Sequence, residues 1–153
     1  NLCISSASSA MTYTTSPTTY QQQMYTYNVV SIGMNRLEFD FKAKTPTKTW
    51  HLDDISIIDT NASNSEMLIN GKFENGVLIG WKVFCSSLNC GGTGGTITQL
   101  SCRNGSYCYN GACAGVYDFL RQSFSVAVKH VYVLSFWLYT NGHAAEAAYV
   151  NIS

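Results

Sequence analysis

Six cysteines, Cys3, Cys85, Cys90, Cys102, Cys108 and Cys113, are the residues of this chain best equipped for chemistry, and five of them fall within 29 residues beside Gly, Asn and Ser. An even number in such a setting reads as a disulfide framework closed in an oxidising compartment. Zinc is the competing chemistry. The spacings Cys85-x4-Cys90, Cys102-x5-Cys108 and Cys108-x4-Cys113 give no paired C-x2-C knuckle, however, and the next His, His130, lies 17 residues past Cys113. Six cysteines allow 15 pairings; we expect a loop tied together internally, with one bond sent to the distant Cys3. Three sequons, Asn61 (N-A-S), Asn104 (N-G-S) and Asn151 (N-I-S), would be glycosylation acceptors in an extracellular chain.

Catalytic chemistry finds little support. His51, His130 and His143 are scattered, and no Ser sits in a nucleophile elbow. Asp53 with Glu74 would act as a glycosidase pair only at a defined separation across a cleft, so a non-enzyme is expected. Nine basic residues balance nine acidic ones and 12% of the chain is charged. That balance gives no electrostatic case for nucleic acid or an anionic membrane and favours a neutral, polar partner. No apolar run reaches membrane-spanning length. The start at Asn1, without Met or signal peptide, reads as a mature fragment or a window of something longer.

The elements that must position these residues are strands. At 153 residues and 46% apolar content, one core is the default. Ten Tyr, seven Phe and three Trp among abundant Thr, Ser and Gly favour pleated strands joined by turns. Tyr25, Tyr27 and Val29 alternate with polar neighbours, and so do Leu37, Phe39, Phe41 and Ala43. Strands are expected also at Thr49–Ile58, Met67–Glu74, Trp81–Phe84, Phe119–Val128, Val131–Thr140 and Ala147–Ile152, with a turn at Thr45-Pro46-Thr47. The run Gly91–Gly95 cannot hold a regular element, though disulfides could order the loop around it. Eight to ten strands make an all-β sandwich or jelly roll the expected architecture.

Several motifs resemble the jelly-roll carbohydrate-binding modules of the galactose-binding-like superfamily, in particular the group that includes families 4 and 9. Leu68-Ile-Asn-Gly-Lys-Phe-Glu-Asn-Gly, followed by Trp81, resembles their opening strand, and Trp50-His-Leu-Asp-Asp-Ile-Ser-Ile57 their closing strand. Tyr132-x-Leu-Ser-Phe-Trp-Leu138 resembles a central strand and Leu37-Glu-Phe-Asp-Phe41 the strand before the close.

The resemblance implies that Asp53, Asp54 and Glu74 come together. Asp53 and Glu74 would then be side-chain ligands of a structural Ca²⁺, with carbonyls of the Asn104–Gly105 turn beside them; the alternative is a set of surface acids at a strand end. It further implies that Trp137 and Tyr139, on the face opposite Leu134 and Phe136, lie on a concave sheet where sugars stack. Gln21 and Gln23 would supply amides. Core or inter-subunit packing is the alternative for both rings, and Trp50 and Trp81 read as core and loop-cover residues.

Relative to that family the order is reversed: residues 1–60 resemble the C-terminal half of a module, 61–66 a linker, and 67–153 the N-terminal half. A tandem-repeat window, a circular permutant, or a subunit completed by its neighbours would each produce this. Half a sandwich leaves strand edges that another chain can cover, and a head-to-tail contact that does not close propagates. The expectation is therefore an extracellular structural subunit or repeat, assembled with itself head to tail into a filament or tandem jelly-roll array. The alternative is a carbohydrate-binding module with a polysaccharide partner.

Overall fold

Apolar residues at Leu37, Phe39 and Phe41, separated by Glu38 and Asp40, put one stripe of a strand inward every second residue. In the computed structural model that strand is β3 (Gly33–Lys42), and all three apolar residues are fully buried. Residues 3–5, 9–14, 17–29, 32–140 and 147–153 are described; His143 lies outside them. The other strands are β1 (Met11–Tyr13), β2 (Gln21–Asn28), β4 (Trp50–Asp59), β5 (Ser65–Glu66), β6 (Lys82–Phe84), β7 (Thr96–Thr98), β8 (Cys108–Gly111), β9 (Asp118–Val126), β10 (Val131–Thr140) and β11 (Ala147–Ile152), with one helical turn, α1 (Ser86–Cys90).

The protein is all-β, with two antiparallel sheets. A five-stranded sheet runs β1-β11-β3-β9-β6, and a six-stranded sheet runs β2-β10-β4-β8-β7 with β5 paired to β4. Their inner faces meet in one core, where the Phe39 and Phe136 rings cross edge to face at 5.1 Å. Phe73 reaches this core from a turn and packs 5.9 Å from Trp81 and 6.1 Å from Tyr109. Strands from before and after residue 60 alternate in both sheets: β11 lies between β1 and β3, and β10 between β2 and β4.

Two expected elements take other forms. The stretch expected as a linker is a tight turn followed by β5, which pairs Ile58 with Glu66 and Asp59 with Ser65. Met67–Glu74 is expected as a strand, but it runs alongside β4 as a chain of turns, held where Met67 N–H donates to Ile57 O (2.8 Å) and Ile55 N–H to Gly71 O (2.9 Å). The reason is backbone conformation: Asn70 and Phe73 sit at φ 54° and 58°, outside the strand region. Gly71 presses so closely on β4 that a Cβ there would stand 1.9 Å from Ile55 O. In the cysteine-rich region, β7 and β8 form a hairpin that no periodicity announced, because both are short and flank disulfides.

The six cysteines pair as Cys3–Cys85, Cys90–Cys113 and Cys102–Cys108. Two bonds thus close the loop region internally and one ties the N-terminal segment to it. No helix among the described residues is long and apolar enough to cross a membrane.

Candidate functional site

A β-bulge builds the site. On β4, Trp50 and Leu52 face the core, and so do Ile55 and Ile57, so the alternation slips by one residue between them. Asp54 takes up the slip with φ 48°, and the pairing of β4 with β10 shifts between Ser135 and Trp137. The bulge turns Asp53 and Asp54 to the outer face together, the re-aiming such irregularities produce.

Both carboxylates meet the loop that follows Cys102. Asp53 Oδ2 accepts the backbone N–H groups of Arg103 (3.1 Å) and Asn104 (3.2 Å), and its Oδ1 accepts Asp54 N–H (2.8 Å). Asp54 Oδ2 lies 2.8 Å from the Arg103 guanidinium. Glu74 holds the next part of the same loop, accepting Ser106 N–H (2.9 Å) and Tyr107 N–H (3.2 Å). Loss of solvation pushes the Asp53 carboxyl up to about 6, although three N–H groups oppose that shift.

The Asn104–Gly105 turn therefore offers amide N–H groups where the calcium expectation called for carbonyl oxygens. Asp53, Asp54 and Glu74 face donors and a guanidinium, a set that fits the anchoring of a loop and not a hard cation, which needs six or more oxygens. Among the described residues, the His, Cys, Asp and Glu groups whose ligand atoms converge are Cys90, Cys113 and Asp118, and those two sulfurs are bonded to each other.

Trp137 and Tyr139 project from β10 on the outer face, each half-buried, while Phe136 and Leu138 fill the core. Packing differs at the two rings. Tyr139 is covered by Tyr20 and His51, with ring centroids at 4.9 and 5.0 Å. Trp137 carries the Arg103 guanidinium 3.6 Å over one face of its indole, a cation–π contact. The remainder of Trp137 lines a cleft of about 800 Å³ with Gln22, Asn70, Asn75, Asn104, Asp54, Glu74, Glu66 and Lys72.

Gln21 and Gln23 do not share that face. The register pairs Gln22 with Trp137, while Gln21 and Gln23 stand opposite Leu138 and Phe136; directly paired residues point to the same side of a sheet. The amide beside Trp137 is thus Gln22, and Gln23 accepts a hydrogen bond from Tyr13 Oη (3.0 Å) toward the sandwich edge. The alternation of Tyr25 and Tyr27, carried back along β2 by its period of two, puts Gln21 and Gln23 on their face and Gln22 on the other.

The sequons differ in access. Asn61 and Asn104 are exposed, whereas Asn151 has both side-chain amide atoms buried without a partner, so as folded its nitrogen is not presented to solvent. No family model matches the chain, and no curated protein or solved structure does either.

Proposed function

We propose that the chain is a secreted, permuted jelly-roll module that binds a neutral polysaccharide in the cleft walled by Trp137. The observation that carries this reading is the cleft's composition: a half-exposed indole and the apolar side chains of Leu68, Ile69 and Ile79, set among amides and charged groups. A flat apolar face suits the C–H side of a pyranose, and Gln22 offers both donor and acceptor to hydroxyls. Asn70, whose Nδ2 donates to Val77 O and Ile79 O, adds an acceptor, and Asn75, whose Oδ1 accepts Val77 N–H, adds a donor. Arg103 guards the indole: an entering ring either displaces the guanidinium or stacks on the part it leaves open. The reading assigns no catalytic step and no metal. Three disulfides support an oxidising, extracellular setting, and the module order, with Met67–Glu74 lying along β4, supports permutation.

Native gel electrophoresis through soluble neutral polysaccharides tests it. The protein should be retarded by at least one of them, and Trp137→Ala should weaken that retardation about tenfold or more without lowering the melting temperature. Equal retardation of both proteins would overturn the assignment.

A second reading is self-assembly of this chain head to tail by strand complementation. It is supported by β2, an eight-residue edge strand with no charge and no Pro, the kind of edge that pairs with other chains. Against it stands the pairing of both halves inside one chain, which leaves no half-sheet to complete. Sedimentation decides: a polymer that Met24→Lys disperses supports assembly, and a monomer removes it.

A further inference from the structure

On the opposite outer face, that of the five-stranded sheet, lies a second pocket of about 440 Å³ lined by Arg36, Lys82, Arg121, Phe84, Gln122 and Ser123, with Gly80 at its rim. It gathers three of the chain's nine basic residues. Arg36 and Arg121 converge on one carboxylate oxygen of Glu38, Arg36 at 3.6 Å and Arg121 through its Nε. Lys82 has no ion-pair partner among the described residues, and it stands directly across from Arg121 in the β6–β9 register. Like charges placed opposite each other in an antiparallel pair are destabilising. Asp40, next along the face, adds little negative charge, since burial pushes its carboxyl up to about 8.

The pocket is therefore short of anions: three cations share one carboxylate. It is also pre-shaped. Arg121 rests on the Phe84 ring at 4.4 Å, and Gln122 is clamped to the Ile69 backbone by two hydrogen bonds of 2.8 and 3.0 Å. Gly80 lines this pocket, and the segment just before it, from Ile69 to Ile79, lines the Trp137 cleft.

We propose that Arg36, Lys82 and Arg121 form an oxyanion site for an acidic polysaccharide, taking a carboxylate or sulfate ester carried on a sugar. Guanidinium groups bind such oxyanions through paired N–H donors, and the Lys82 ammonium adds a mobile charge; the Ser123 hydroxyl at the rim supplies a neutral donor. That the polymer is a polysaccharide rests on the reading of the Trp137 cleft. The site itself rests on its own residues.

The test is retardation of the full chain in native gels containing polygalacturonate, dextran sulfate or neutral dextran. We expect retardation by at least one of the two acidic polymers, weakened tenfold or more by the double variant Arg36→Ala/Lys82→Ala and by Lys82→Glu alone, an exposed position at which folding is not at stake. Lys44→Ala/Lys48→Ala removes the same charge from a distant hairpin and should change little. Loss with polygalacturonate alone assigns a uronate, loss with dextran sulfate alone a sulfate ester, and loss with both a general oxyanion site. The proposal is overturned if the Lys44/Lys48 variant loses as much as the pocket variants, or if the pocket variants lose nothing. Failure of Trp137→Ala to alter neutral-polymer binding would sink the cleft reading and leave this result standing.

Discussion

The sandwich and the cysteine-rich loop between Cys85 and Gly115 are held by different physics. In the sandwich, side chains alternate in and out along long strands, and the inward set of Leu37, Phe39, Phe41, Leu134, Phe136 and Leu138 is fully buried. Stability there is distributed, at roughly 25 cal/mol for each Å² of apolar surface removed from water. The loop has a one-turn helix and two short strands, too little to bury a core of its own. Apart from β8, which pairs with β4 and carries Tyr109 into the core, it is fixed at points: two internal disulfides, the Asp53 and Glu74 carboxylates on its amides, and Asp118, whose Oδ2 accepts Gly95 N–H at 2.6 Å. A periodic region tolerates the loss of one contact through its neighbours, whereas a pinned region changes shape where a pin is drawn.

The largest expected effect comes from the distributed region. Phe39→Ala should lower the free energy of unfolding by about 3–5 kcal/mol, through lost transfer energy and the cavity left behind. Denaturant titration should show one cooperative transition at a lower midpoint; a cost below about 1 kcal/mol would break the picture of a shared core. Next, removing Cys90–Cys113, whose partners are 23 residues apart, with the double Ser variant should cost about 3 kcal/mol by chain-entropy arguments. Hydrogen exchange should then quicken in β7 and β8 and leave β3 and β10 protected. If β3 exchanged equally fast, the two regions would be one cooperative unit and the comparison would fail.

The last effect is electrostatic and is read as a slope with pH. Burial, with Glu38 alongside, pushes the Asp40 carboxyl up to about 8, against about 3.9 in an unfolded chain. A raised carboxyl favours the fold in its protonated form, so its contribution is full below about pH 4 and is lost as the pH climbs toward 8. Asp40→Asn should flatten the fall of melting temperature between pH 5 and 8 relative to the parent. An unchanged slope would place the titration elsewhere. The comparison of variant with parent matters because His51, lowered to about 4 by burial, acts in the opposite sense: its stabilisation is lost as pH falls.

How much of this was legible in the sequence follows the same division. Strands such as Leu37–Lys42 and Val131–Thr140 announce themselves because burial on one face imposes a period of two on residue type. That Trp137 and Tyr139 share the face opposite Leu134 and Phe136 followed from that period; that this face points outward did not, since both faces carry apolar residues. Two further things could not be read. The bulge at Asp54 depends on one left-handed residue in an otherwise ordinary strand. The direction of the peptide groups after Cys102 decides whether Asp53 and Glu74 meet carbonyls or amides, and side-chain identity says nothing about it. The Arg36–Lys82–Arg121 pocket was hidden because its members are far apart in sequence and near only across three strands.

The alternation of early and late strands in both sheets sets a timetable for folding. A chain synthesised from its N-terminus has β1 to β4 in hand early, yet each of these strands has a late strand as its main neighbour, and the five-stranded sheet is incomplete until Ala147–Ile152 emerges. No native sheet can be finished on the ribosome in the usual sequential manner. Every ladder between an early and a late strand closes a long loop, which slows folding and prolongs the exposure of the edges of β2 and β3 to other chains.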